Sequence, residues 1–95
     1  MIGPGRRGFG LAALTLAAAC ALPPQGTSET DRANYLAAAR SLDCALVTEG
    51  DYVAMEIQSG LSRQQLIDLT GYYLATERAV RLPEGGVKLT TGACA

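Results

Sequence analysis

The sequence predicts an α+β domain that is mainly α, with three short helices followed by a C-terminal β-hairpin. Two observations carry that expectation. Helix-start signals recur around Ser28 to Thr30, at Thr48 and at Ser62, each ahead of apolar residues spaced three or four apart. Beyond Thr76 the apolar period shortens to two, because Val80 and Leu82 flank Arg81 and Val87 and Leu89 flank Lys88, with Pro83-Glu84-Gly85-Gly86 between the two runs.

The first helix is expected to enter at Ser28 or Thr30 and run to about Leu46. Tyr35, Ala39 and Leu42 form its narrow apolar stripe, while Ala33, Ala37 and Ala38 are strong helix formers. The second starts at Thr48, whose hydroxyl can accept from the N–H three residues on; Glu49 and Asp51 favour the positive end of the helix dipole. Val53 and Ile57 lie one turn apart along it, and it should stop at Ser59-Gly60, where glycine tolerates a left-handed cap. The third has the most specific start. Ser62 and Gln65 stand at capping-box spacing, and Leu61 and Leu66 occupy the two positions of a hydrophobic staple. Leu66, Leu69 and Tyr73, with Ile67 and Leu74, form a broad face expected to be buried, and the helix should reach about Thr76. Gly71 inside it costs about 1 kcal/mol relative to Ala unless a close helix contact compensates. In the hairpin, the valine and leucine side should cover the helices and leave Arg81 and Lys88 in water.

Before this domain the chain has the zones of a secretory signal. Arg6 and Arg7 form a positive region, Phe9 to Ala19 is apolar, and Ala17-Ala18-Ala19 places small residues before Cys20. The apolar run to Leu22 covers about 14 residues and ends at Pro23-Pro24, short of the ~20 that a membrane-spanning helix needs. Leu16-Ala17-Ala18-Ala19-Cys20 resembles the lipobox of bacterial lipoproteins. That resemblance implies a diacylglycerol on the Cys20 thiol, cleavage just before Cys20, and acylation of the new amine. Leucine, the commonest residue three places before the cysteine in that family, stands one place earlier here as Leu16, and Ala17 holds its position. Ala17-x-Ala19 and Ala19-x-Ala21 also suit ordinary signal-peptidase cleavage. Arg6-Arg7-Gly8-Phe9 resembles part of a twin-arginine export signal, with Gly10 where a second bulky apolar residue would stand. Ala21 after the cysteine resembles proteins sorted to the outer membrane.

The expected organisation is therefore a signal peptide over 1–19, a lipid-attachment cysteine and flexible tether over 20–30, and a globular domain over 31–95. With Cys20 lipidated, Cys44 and Cys94 remain as an even pair. The export compartment is oxidising, and a bridge closing a loop of about 50 residues is worth roughly 4 kcal/mol in the chain-entropy picture. A redox pair would normally show C-x-x-C spacing, which is absent. The bridge is the staple that so small a core calls for.

Charge and composition narrow the function classes. The chain has 8 Lys+Arg, 9 Asp+Glu and no His. Histidine-based catalysis and histidine-ligated metals are thus excluded. Arg6 and Arg7 leave with the signal, so the exported form is net acidic and disfavours nucleic acid. Ser28, Ser41, Ser59 and Ser62 show no nucleophile-elbow setting, and Glu49, Asp51 and Glu56 lack the alternating ligand spacing of calcium loops. Neither an enzyme nor a cofactor or metal site is expected. The element order is similar to a winged helix, which would place Arg63, Gln64 and Asp68 in a major groove and Arg78, Arg81 and Lys88 near phosphates. No family motif accompanies that order.

Tyr72, at about 100° from Tyr73 on the third helix, is the nominated partner-binding residue, since tyrosine offers area with a polar tip. The expected function is a small exported, lipid-anchored envelope protein facing the periplasm, held by its membrane lipid. Its domain would serve as a non-catalytic interaction or structural module for an envelope protein partner. A soluble periplasmic binding module without the anchor is the alternative, and a DNA-binding protein the more distant one.

Overall fold

Three reciprocal capping boxes set the helices, and each lies in the chain where a short polar side chain meets a complementary residue three places on. A computed structural model describes residues 22–95. Helix α1 spans Glu29–Arg40, α2 Glu49–Ser59 and α3 Arg63–Ala75. Ser28 pairs with Asp31, Thr48 with Asp51 and Ser62 with Gln65, so that each cap satisfies two backbone N–H groups that the helix start leaves without partners.

Three short strands complete the fold: β1 (Ala45–Leu46), β2 (Ala79–Arg81) and β3 (Val87–Leu89). They form an antiparallel sheet in the order β1-β3-β2. The protein is therefore α+β and mainly helical, with a three-stranded sheet in place of the expected two-stranded hairpin. Strand β1 replaces the predicted last turn of the first helix. That helix stops at Arg40 because Asp43 adopts left-handed backbone, and the Cys44 N–H then reaches back to the Ala39 carbonyl at 2.8 Å. The geometry is a Schellman ending built without the glycine that normally announces one. Leu46, buried in the core, then pairs with Val87. Gly86 keeps this edge tight: a Cβ there would meet the Leu46 carbonyl oxygen at 2.5 Å.

The core is Tyr35, Ala38 and Ala39 of α1, Met55 of α2, Leu66, Leu69 and Tyr73 of α3, and Leu46, Ala79, Val87 and Leu89 of the sheet, closed by Cys44 and Leu61. Tyr35 and Thr70 meet inside it through their hydroxyls at 2.7 Å, and the Thr70 hydroxyl also bonds the Leu66 carbonyl, so buried polar atoms find partners. Burial pushes the Tyr35 and Tyr73 phenols up from their ordinary range.

The reading of apolar spacing is corrected at three places. Val53 and Ile57 face solvent, Ile57 at 77% exposure, and Met55 turns inward instead. Ile67, placed on the buried face of α3 by its spacing, is half exposed. In the hairpin, Val80 pairs with Lys88 on the outer face while Ala79 pairs with the buried Leu89, so the β2 valine points away from the helices. The α3 C-terminus ends in a second glycine-free Schellman turn at Glu77, and this sets the phase of β2. Gly71 has open space beside its Cα, so no helix contact compensates its cost.

Candidate functional site

Cys20 lies outside the described residues, and the chain enters the structure at Leu22, whose side chain is 69% exposed. Within a few residues it is fastened. Pro24 to Thr27 form a turn in which the Pro24 carbonyl accepts from both the N–H and the hydroxyl of Thr27. Gln65 then holds the turn to α3. Its Oε1 accepts from the Ser62 N–H at 2.9 Å, closing the capping box, while its Nε2 donates to the Gly26 carbonyl at 3.0 Å. Arg32 in α1 donates to the Thr27 carbonyl at 3.2 Å. Glu29 and Thr30, assigned to the tether from composition, belong to α1, and the segment before them is docked on the domain. Composition reported the absence of apolar periodicity there; it carried no information about carbonyls captured by side chains 39 residues away.

Between α2 and α3, Arg63 gathers two carboxylates. Its guanidinium lies 2.7 Å from Glu49, bonds Glu56 through Nε, and sits 5.4 Å from the centre of the Tyr52 ring. The pairing lowers the Glu49 carboxyl and raises the Arg63 guanidinium. Asp51, close by in sequence, accepts from the N–H groups of Thr48 and Val47, which hold its carboxyl below the usual range. The three carboxylates are therefore divided between an ion-pair cluster and a helix cap. Arg63, the leading candidate for groove contact on a winged-helix reading, is occupied by Glu49 and Glu56.

At the C-terminal end of α1, Cys44 and Cys94 form the disulfide, with Cα atoms 5.7 Å apart. Gly92, in left-handed backbone, lets the short 3-10 helix Gly92–Cys94 lie on Leu36, because a Cβ at that position would stand 2.6 Å from the Leu36 Cδ1. An open depression of about 630 Å³ borders the bridge, lined by Arg40, Asp43, Lys88 and the last four residues. Lys88 crosses it to the Asp43 carbonyl at 3.2 Å.

Tyr72 is half-buried. Its ring lies 5.2 Å from that of Tyr73 and 5.3 Å from the Arg78 guanidinium, which also donates to its hydroxyl. The residue is thus a packed boundary tyrosine with one edge in solvent. Ser28 and Ser62 cap helices, Ser59 donates to the Met55 carbonyl, and Ser41 lies 2.6 Å from both the Ala38 carbonyl and Gln58. Among the described residues, no group of three or more Cys, Asp or Glu side chains is arranged to hold a metal ion, and no helix is long and apolar enough to cross a membrane.

No protein family, curated protein or solved structure matches this chain.

Proposed function

We propose that this chain is a small exported, lipid-anchored envelope protein, attached through Cys20 and facing the periplasm, whose domain acts as a non-catalytic interaction or structural module. The observation that carries this reading is the division of its three cysteines: Cys44 and Cys94 are joined, leaving Cys20, which comes directly after Leu16-Ala17-Ala18-Ala19 at the end of an apolar leader. A structural disulfide suits an oxidising compartment, and the lipobox-like sequence accounts for the remaining thiol. The docking of Pro24 to Thr27 supports the same reading, because it begins only four residues after Cys20 in the chain. Tyr72, with an exposed edge beside Arg78, is the residue nominated for contact with an envelope protein partner.

Intact mass of the protein from a membrane fraction tests the anchor. The expected result is a chain beginning at Cys20 and carrying a diacylglyceryl group; an unmodified chain beginning at Cys20 or Leu22 would remove it. The soluble alternative predicts that Cys20→Ser leaves distribution between soluble and membrane fractions unchanged, whereas the anchored protein moves to the soluble fraction.

A second reading rests on the element order. Helix, strand, helix, helix and two strands, with β3 central in the sheet, resembles a winged helix. The charge opposes DNA binding: six basic against nine acidic residues remain once Arg6 and Arg7 are removed, and Arg63 is neutralised. We therefore assign the resemblance to the scaffold. A periplasm-active reporter fused to the C-terminus should give signal, and silence there would favour the DNA-binding reading over the exported one.

A further inference from the structure

We propose that the Pro24–Thr27 turn is a rigid mount that seats the domain directly on the lipid surface, with the N-terminal end of α1 toward the bilayer and the disulfide end away from it. The inference rests on the Cys20 anchor reading and adds an orientation to it. Without docking, the ten residues from Ala21 to Thr30 would let the domain tumble within a few nanometres of the membrane. The structure shortens that leash. The Pro24 and Gly26 carbonyls are both held, the first by Thr27 and the second by Gln65, and the Thr27 carbonyl is held by Arg32. Pro24 stands four residues after Cys20, so its Cα lies within about 14 Å of the lipid-bearing residue even with the chain extended.

The turn is fastened at two points on different helices, Arg32 of α1 and Gln65 of α3, and it leads into Ser28, the cap of α1. A mount held at two points resists rotation as well as extension. The lipid surface is the occupant because only Ala21, Leu22 and Pro23 separate Cys20 from the mount in the sequence. Of these, Leu22 presents an exposed apolar side chain and Pro23 has a restricted backbone. The C-terminal end of α1, with Arg40 exposed beside the disulfide, is then about 18 Å further out along the helix axis.

The chain contains no tryptophan, so a single introduced one reports a single position. Thr30→Trp and Arg40→Trp, both exposed and on the same helix, would be made in the full chain. Each lipidated protein would be reconstituted in phosphatidylethanolamine and phosphatidylglycerol vesicles carrying a dansyl headgroup acceptor. Energy transfer from Thr30→Trp is expected to exceed that from Arg40→Trp by about twofold or more, since the positions differ by ten residues, about 15 Å of helix. Gln65→Glu keeps the acceptor that caps Ser62 but removes the donor to Gly26; combined with Arg32→Ala it should bring the two transfer values together. Circular dichroism of the variants checks that the fold persists. Equal transfer at the two positions in a protein whose mass shows the lipid would overturn the seating alone, and a difference that survives loss of both fastenings would overturn the turn as its cause. A mass without lipid at Cys20 would overturn the anchor and the seating with it.

Discussion

The two ends of α1 are held by different physics. At its start, Ser28, Asp31, Arg32 and the distant Gln65 make hydrogen bonds between side chain and backbone, several of them open to water. At its finish, consecutive left-handed residues Asp43 and Cys44 turn the chain, and a covalent bridge to Cys94 locks it. Hydrogen bonds at an exposed end are individually worth about 1 kcal/mol and can be exchanged for water; a disulfide acts chiefly by restricting the unfolded chain and has no such substitute. The start of α1 is thus built to be held in place by several weak fastenings, and its finish to persist.

Breaking the bridge should give the largest effect. Cys44→Ala with Cys94→Ala, or reduction of the native protein, is expected to cost about 4 kcal/mol in urea unfolding. Equal unfolding midpoints with and without reductant would show that the bridge contributes nothing. Removing a cap should cost less: Ser28→Ala and Ser62→Ala are each expected to lose about 1 kcal/mol by the same measurement. Gln65→Ala removes the donor to the Gly26 carbonyl, so amide exchange at Thr27 should accelerate in that variant and stay unchanged in Cys44→Ala with Cys94→Ala if the two ends are independent.

At the covalent end, Asp43→Gly should raise stability by about 0.5–1 kcal/mol, because glycine adopts the positive φ without steric penalty. A loss instead would mean that the Asp43 side chain contributes more than its backbone strain removes. Acid should distinguish the two kinds of fastening in a different way. The Asp51 carboxyl is lowered by the N–H groups of Thr48 and Val47, and that of Glu49 by Arg63. A carboxyl lowered in the folded state contributes stability above its unfolded pKa, near 4, that is lost as pH falls through the folded value. Thermal midpoints measured from pH 6 down to pH 2 should therefore decline below about pH 4. Asp51→Asn should flatten that decline, while reduction of the disulfide should shift the whole curve without changing its shape.

Much of the fold was legible because its signals are local. Thr48 and Ser62 stand three residues before their partners, Gly60 closes α2, and the hairpin runs flank a glycine-containing loop; each depends on backbone within one turn. The cysteine pairing was read by number, with Cys20 set aside through the lipobox resemblance. The end of α1 was not, since Asp43 does there what glycine usually does, and a two-residue strand has too little length for any period. Val53, Ile57 and Val80 misled for one common reason. Spacing says which residues share a face, and it is silent on whether another element arrives to cover that face; Met55 and Ala79 are the ones that met a neighbour.

The sequence by itself determined the three helix starts, the apolar run before Cys20, and the net acidity of the chain from Cys20 onward. All of these come from side chains acting on their own backbone or from counting. Only the tertiary structure decided that β1 exists, that Arg63 is spent on Glu49 and Glu56, and that the segment before α1 is fastened to the domain. These depend on atoms brought together from positions far apart in the chain, where a carbonyl such as that of Gly26 has no sequence signature and its partner is chosen by packing alone.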